Sequence, residues 1–326
     1  MNGFDFIRFN KNFSWYFFLF SILLLLTANY LNFELSNLVC LILILLFGIT
    51  HGSLDNLKGK KLFKIFKIKN EIIFYISYIA LAIVVILLWL MLPSFMLFVF
   101  LIVASYHFGK EDTSYNFGPF FKFTKKFHLF FLFKGSIIIV APLIFHYEQS
   151  VEIFSNLFLK ESIFFNILEI MKYKELGNTS LSILNLLIIL SILAGIGLHG
   201  NPSTLFTGNL VSGTLIPDTV SILLLNYYLS PLVAFTIYFC FLHSPRHSLS
   251  LIDDLGEKNF SKGLQKFLKK ALPLTLVTAI LFILGVYVLV NYYVLDDAIL
   301  KVIFIGLASL TFPHILLEYL IEKNEK

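Results

Sequence analysis

Charge is what this sequence has least of. Only 14% of its 326 residues are Asp, Glu, Lys or Arg, against roughly 25% in an ordinary soluble domain. Hydrophobic residues make up 58%. A water-soluble fold of this length could not hide so much apolar surface, so lipid has to solvate part of it. Period-2 alternation is also missing, which argues against a barrel. Apolar runs that approach or exceed about 18 residues point to helices instead. Cysteine is scarce: Cys40 and Cys240 both lie in apolar stretches. They offer neither a disulfide framework nor zinc-like spacing and are read as core packing. No internal repeat, long linker or second domain is evident. Residues 1–326 are therefore read as one all-α domain, a polytopic transmembrane helical bundle.

What is present is a series of apolar runs at 13–31, 35–50, 71–92, 94–108, 128–147, 181–199, 205–224, 229–241, 271–293 and 299–321. The run at 205–224 is weak, so the expected count is about eight to ten spans. The first run is long for a signal-peptide core and lacks a small-residue cleavage pattern; it is read as a span. Residues 151–173 mix Glu and Lys into apolar sequence and are expected to lie as an amphipathic helix at the interface. The formal charge of +5 resides mainly in loops. That pattern suggests orientation and anionic lipid contact, with no nucleic-acid partner. Lysines cluster at 58–69, at 110–126 and at 258–270. The positive-inside rule puts these segments, and with them the N-terminus, in the cytoplasm, as expected for a multi-pass protein of the inner membrane.

On this topology His51, His107, His243 and His247 close spans on the cytoplasmic side, and His314 lies in the cytoplasmic half of the last one. His128 and His199 lie near that side, and His146 on the other. Ionisable groups at membrane depth are costly and usually functional. His51 has Asp55 four residues on, placed to orient an imidazole through its second nitrogen. His107 is followed by further carboxylates, Asp112 among them. His243 and His247 sit at i and i+4, a spacing that offers two ligands from one helix face. Pro245 between them can break the helix, with Ser244 as a new cap, and the two rings then need not share a face. Arg246 reads as a cytoplasmic anchor.

Neutral imidazoles suit zinc, copper and iron alike. The His-Glu-x-x-His of a zinc protease is absent, and no cysteine lies beside these histidines. A four-histidine site with open positions, facing an apolar cavity, fits iron(II) acting with dioxygen on a lipid-soluble substrate. Spacing alone leaves three readings standing: such an oxygenase, a histidine-rich di-iron oxygenase or desaturase, and a transporter or haem-binding membrane protein.

The segments GITHGSLDN (48–56), SYHFGKED (105–112), LHSPRH (242–247) and FPHILLEYL (312–320) resemble the Brp/Blh family of bacterial and archaeal membrane β-carotene oxygenases. Motif order and hydrophobic profile are similar over nearly the whole chain. The resemblance implies an Fe(2+)-dependent enzyme that splits β-carotene with dioxygen at the central 15,15′ double bond. The two retinal molecules so formed would be passed to a microbial rhodopsin. It further implies His51, His107, His243 and His247 as iron ligands and His314 as an additional ligand or pocket residue; Asp55 and Asp112, by their positions, are read as candidate groups behind the ligands. Asn56 departs from the family pattern, where a histidine is expected. Tyr106, Phe108, Phe241 and Phe312 are candidates to grip the polyene.

Overall fold

A computed structural model describes residues 6–31, 35–114, 125–157, 214–255 and 259–324. Among them every regular element is helical. α1 (Phe6–Leu31) is followed by α2 (Asn37–Leu43), whose N-terminus is capped by Ser36 accepting from the Val39 amide. The chain then loosens into a π turn (Ile44–Gly48) and a 3₁₀ segment (Ile49–Leu54) before tightening into α3 (Asp55–Ile65). α4 (Ile72–Met91), α5 (Pro93–Ser114), α6 (Lys125–Phe145) and the short α7 (Tyr147–Leu157) come next. After the break come α8 (Ile216–Tyr228), α9 (Pro231–Tyr238), a second π turn (Phe239–His243) and α10 (Ser244–Asp254). Two 30-residue helices, α11 (Phe260–Leu289) and α12 (Leu295–Asn324), end the chain.

Six of the described helices are long and apolar enough to cross a membrane: α1, α4, α5, α6, α11 and α12. The pair Asn37–Gly48 and Gly52–Ile65, bent by 42°, makes a seventh if it counts as one broken span. The all-α multi-pass architecture read from composition is therefore the one observed. The expected span at 181–199, residues 205–213 of the one at 205–224, and most of 151–173 lie outside the described residues. Of the last of these, α7 covers the start, with Ser150, Phe154 and Leu157 buried.

Burial separates peripheral helices from central ones. α4 and α11 leave Ile76, Ile79, Leu87, Leu276, Ile280 and Leu284 outward, the apolar exterior that lipid requires. In α5 and α12 half of the spanning window is buried, against 6% in α11. α5 packs on α6 at backbone distance: a Cβ on Gly109 would come 1.8 Å from the Phe131 carbonyl oxygen, and one on Gly135 1.7 Å from that of Ser105. Small residues permit such close helix contacts in membranes. Here they fix the helix that bears His107.

Two boundaries differ from the hydropathy reading. α5 continues past 108 through Lys110-Glu-Asp112, because Glu111 and Asp112 find buried imidazole partners and Lys110 pairs with Glu322. The lysines at 262–270 belong to α11 itself, started by Asn259 accepting from the Ser261 and Lys262 amides.

Candidate metal centre

Three helices converge on one cluster. α5 supplies His107 and, one turn on, Glu111. The second π turn and α10 supply His243 and His247. α12 supplies His314 and, one turn on, Glu318. His107 stands between two neighbours, its ring centroid 5.3 Å from that of His243 and 5.2 Å from that of His314. His247 joins from the far side, 5.5 Å from His314. All four imidazoles are buried. Pro245 does not turn the rings of His243 and His247 away from the cluster. The chain passes from π turn to α-helix with Ser244 still helical (φ −62°, ψ −43°), and Pro245 falls in the first turn of α10, where a missing N–H is tolerated.

Each of three histidines has a carboxylate on its Nδ1 side. His243 Nδ1 lies 3.1 Å from Asp112, His247 Nδ1 2.6 Å from Glu111, and His314 Nδ1 2.8 and 2.9 Å from the two oxygens of Asp55. An ionised carboxylate only accepts, so Nδ1 carries the proton and Nε2 the lone pair. That is how metal-binding imidazoles are usually held. The carboxylates are anchored in turn: Tyr78 donates to Asp55 (2.7 Å), and Tyr238 donates to Asp112 (2.6 Å).

Glu318 lies among the rings, 3.5 Å from His314 Nε2 and 3.9 Å from both His247 Nε2 and His107 Nδ1. Two sets could hold a metal ion, His107–His314–Glu318 and Glu111–His247–Glu318. Within each, the ligand atoms lie within 4.8 Å of one another. Among the described residues here, Lys58 is paired with Glu318, Arg246 with Asp218 and, at 3.9 Å, with Asp112. Asp55 and Glu111 face imidazoles. Imidazole and carboxylate donors gathered in this way are of the kind a transition metal takes.

Several expectations are redrawn by this geometry. Asp55, expected behind His51, faces His314; the side chain of His51 lies outside the described residues, although its backbone is in the 3₁₀ segment. Arg246 is not a cytoplasmic anchor: it is 1% exposed and bonded to Asp218, Ser14 and the Asp112 carbonyl. Lys58, grouped with the cytoplasmic lysines, points inward to Glu318 and His247. His128 is exposed and meets Tyr106, and His199 lies outside the described residues. Of the four aromatic candidates, Phe108 touches the cluster, 4.7 Å from His243 between centroids. Tyr106 is engaged with His128, Phe241 lies against Phe20 and Phe47, and Phe312 packs on the apolar core.

Phe108 also belongs to a second feature, a partly open apolar cavity between α5, α6, α7, α9 and α12. Ala104, Ile138, Phe154, Phe235 and Leu307 line it with Phe108. Among the described lining residues the one polar side chain, Ser150, donates to the Pro142 carbonyl at 3.0 Å. An occupant of this space therefore meets hydrocarbon, and its inner wall adjoins the histidines.

Comparison with known proteins gives a consistent picture. A family described as beta-carotene 15,15′-dioxygenase matches residues 42–322. A beta-carotene 15,15′-dioxygenase from uncultured marine bacterium 66A03 is 28% identical over 281 residues, covering 85% of this chain and 90% of that protein. No solved structure matches.

Proposed function

The chain belongs to the β-carotene 15,15′-dioxygenase family, and from that premise we propose that it cleaves β-carotene at its central double bond with dioxygen, using iron(II) held by the buried histidine cluster. One carbon–carbon double bond and the O–O bond break, two aldehyde carbonyls form, and two retinal molecules leave; no external reductant is needed. The observation that carries this reading is the meeting of four buried imidazoles, three of them backed by carboxylates, with the wall of an apolar cavity.

His107, His243, His247 and His314 would hold the metal, with His51 joining them as the family resemblance implies. When bound, iron(II) supplies the redox chemistry that lets spin-triplet dioxygen react with a closed-shell polyene. The rest falls to the protein. Asp112, Glu111 and Asp55 keep the Nδ1 protons in place, so that each ring presents Nε2. Phe108 and the cavity walls exclude water and align an unfunctionalised hydrocarbon by shape, since β-carotene offers no polar handle. Its length is close to the thickness of the bilayer core, so it enters sideways between helices. We place the protein in the cytoplasmic membrane, N-terminus inward by the lysine distribution, and the retinal passes to a rhodopsin.

The test is a single-turnover reaction of purified, iron-loaded protein with β-carotene under ¹⁸O₂, the aldehydes being reduced at once to alcohols for mass spectrometry. The proposal predicts two C20 products per carotene, each carrying one labelled oxygen. Cleavage away from the centre, or label arriving only from water, would refute it.

A further inference from the structure

One ion pair inside the cluster has no role in the reading above. Lys58, on the first turn of α3, reaches inward so that its Nζ lies 2.5 Å from Glu318 Oε1 and 3.5 Å from His247 Nε2. Glu318 is the member common to both groups of side chains able to hold a metal, and its carboxylate lies within 3.9 Å of three imidazoles. It is 10% exposed, and Lys58 is 20% exposed. The ammonium thus stands beside a carboxylate and a histidine Nε2, the company a metal ion would keep.

We propose that Glu318 is the anionic ligand of the metal centre and that Lys58 is its resident counter-ion, displaced when a metal cation binds. This rests on the cluster being a metal site, as argued above. One carboxylate beside histidines is a ligand set that suits non-haem iron(II). Without metal, Glu318 among these rings would be a buried unpaired charge, which is strongly destabilising; Lys58 meets that need. The lysine stem is long and flexible, and its head has a route to water. Two cations cannot share one carboxylate cheaply, so the arriving metal sends the ammonium outward. Asp55 anchors this arrangement: three residues before Lys58, it holds His314 from the other side.

The experiment measures anaerobic Fe²⁺ affinity by chelator competition, together with the rise in melting temperature on adding Fe²⁺. It uses full-length protein in nanodiscs: wild type, Glu318→Gln, Lys58→Met and the double variant. Glu318→Gln is expected to bind iron at least about tenfold more weakly, the scale on which loss of metal-site groups acts. Lys58→Met, relieved of the competing ammonium, is expected to bind at least as tightly as wild type. Its metal-free form should melt lower, and iron should raise its melting temperature more than in wild type. The double variant carries no unpaired charge, so it tests the idea even if a single variant fails to fold; it should bind as weakly as Glu318→Gln. Wild-type affinity in Glu318→Gln or in the double variant would overturn the proposal, as would weakened binding in Lys58→Met. Failure of the wild type itself to bind iron would instead overturn the metal centre on which the proposal rests.

Discussion

At the scale of single residues, the account depends on who stands behind each imidazole. Asp112 illustrates it: the carboxylate accepts from His243 and from Tyr238, while Arg246 holds its main-chain carbonyl. Asp112→Asn keeps the shape but replaces an obligate acceptor with an amide that can also donate. The proton on His243 Nδ1 is then no longer fixed. We expect folded protein with iron affinity reduced about 10- to 100-fold, read by metal content after dialysis against a weak chelator. The histidines themselves were legible in the sequence, because ionisable groups stand out in apolar runs. Glu111 and Glu318 each follow a histidine by four residues, the same spacing that singles out Asp55. Their signal was present and local. The pairing of Asp55 with His314 was not, since 259 residues separate them and only the packing of α3 on α12 brings them together.

At the scale of elements, the centre is held by helix contacts that hydropathy does not register. The crossing of α5 and α6 sets the position of His107, Glu111 and Asp112 together, and it tolerates no side chain at Gly135. Gly135→Ala should cost about 1–3 kcal/mol, as overpacking does, seen as a lower melting temperature in detergent. It should also lower iron occupancy, although residue 135 touches none of the ligands. Helix positions were readable from apolar runs, and where they end was not. α5 outlasts its apolar run because Lys110 pairs with Glu322, and Asp112 with His243. The π turn at Phe239–His243 left no mark in the sequence that periodicity could catch; such turns often occur at functional sites. Here it carries His243 and leads into the turn that carries His247.

At the scale of the whole molecule, the argument joins a polar cluster to an apolar chamber inside a lipid-facing shell. Composition alone foretold the shell. The cavity could not be foretold, because its walls are ordinary Phe, Leu and Ile residues, indistinguishable in sequence from those facing lipid. Ala104 lies on its wall and is 3% exposed. Ala104→Phe should fill the chamber and slow β-carotene turnover by about tenfold or more, the range in which pocket shape discriminates. Iron content, measured in parallel, should stay at the wild-type level, because residue 104 faces the cavity and not the cluster. Equal turnover in the two proteins would move the substrate elsewhere.

The most direct measurement of the central claim is pigment analysis in a β-carotene-producing bacterium that expresses the wild type or His243→Ala. Both proteins should be quantified in the membrane, and carotene and retinal separated by chromatography. The account predicts bleached cells with retinal for the wild type and unchanged carotene for the variant at equal protein level. Retinal formation by His243→Ala at the wild-type rate would contradict it, by removing the buried histidine cluster from the reaction.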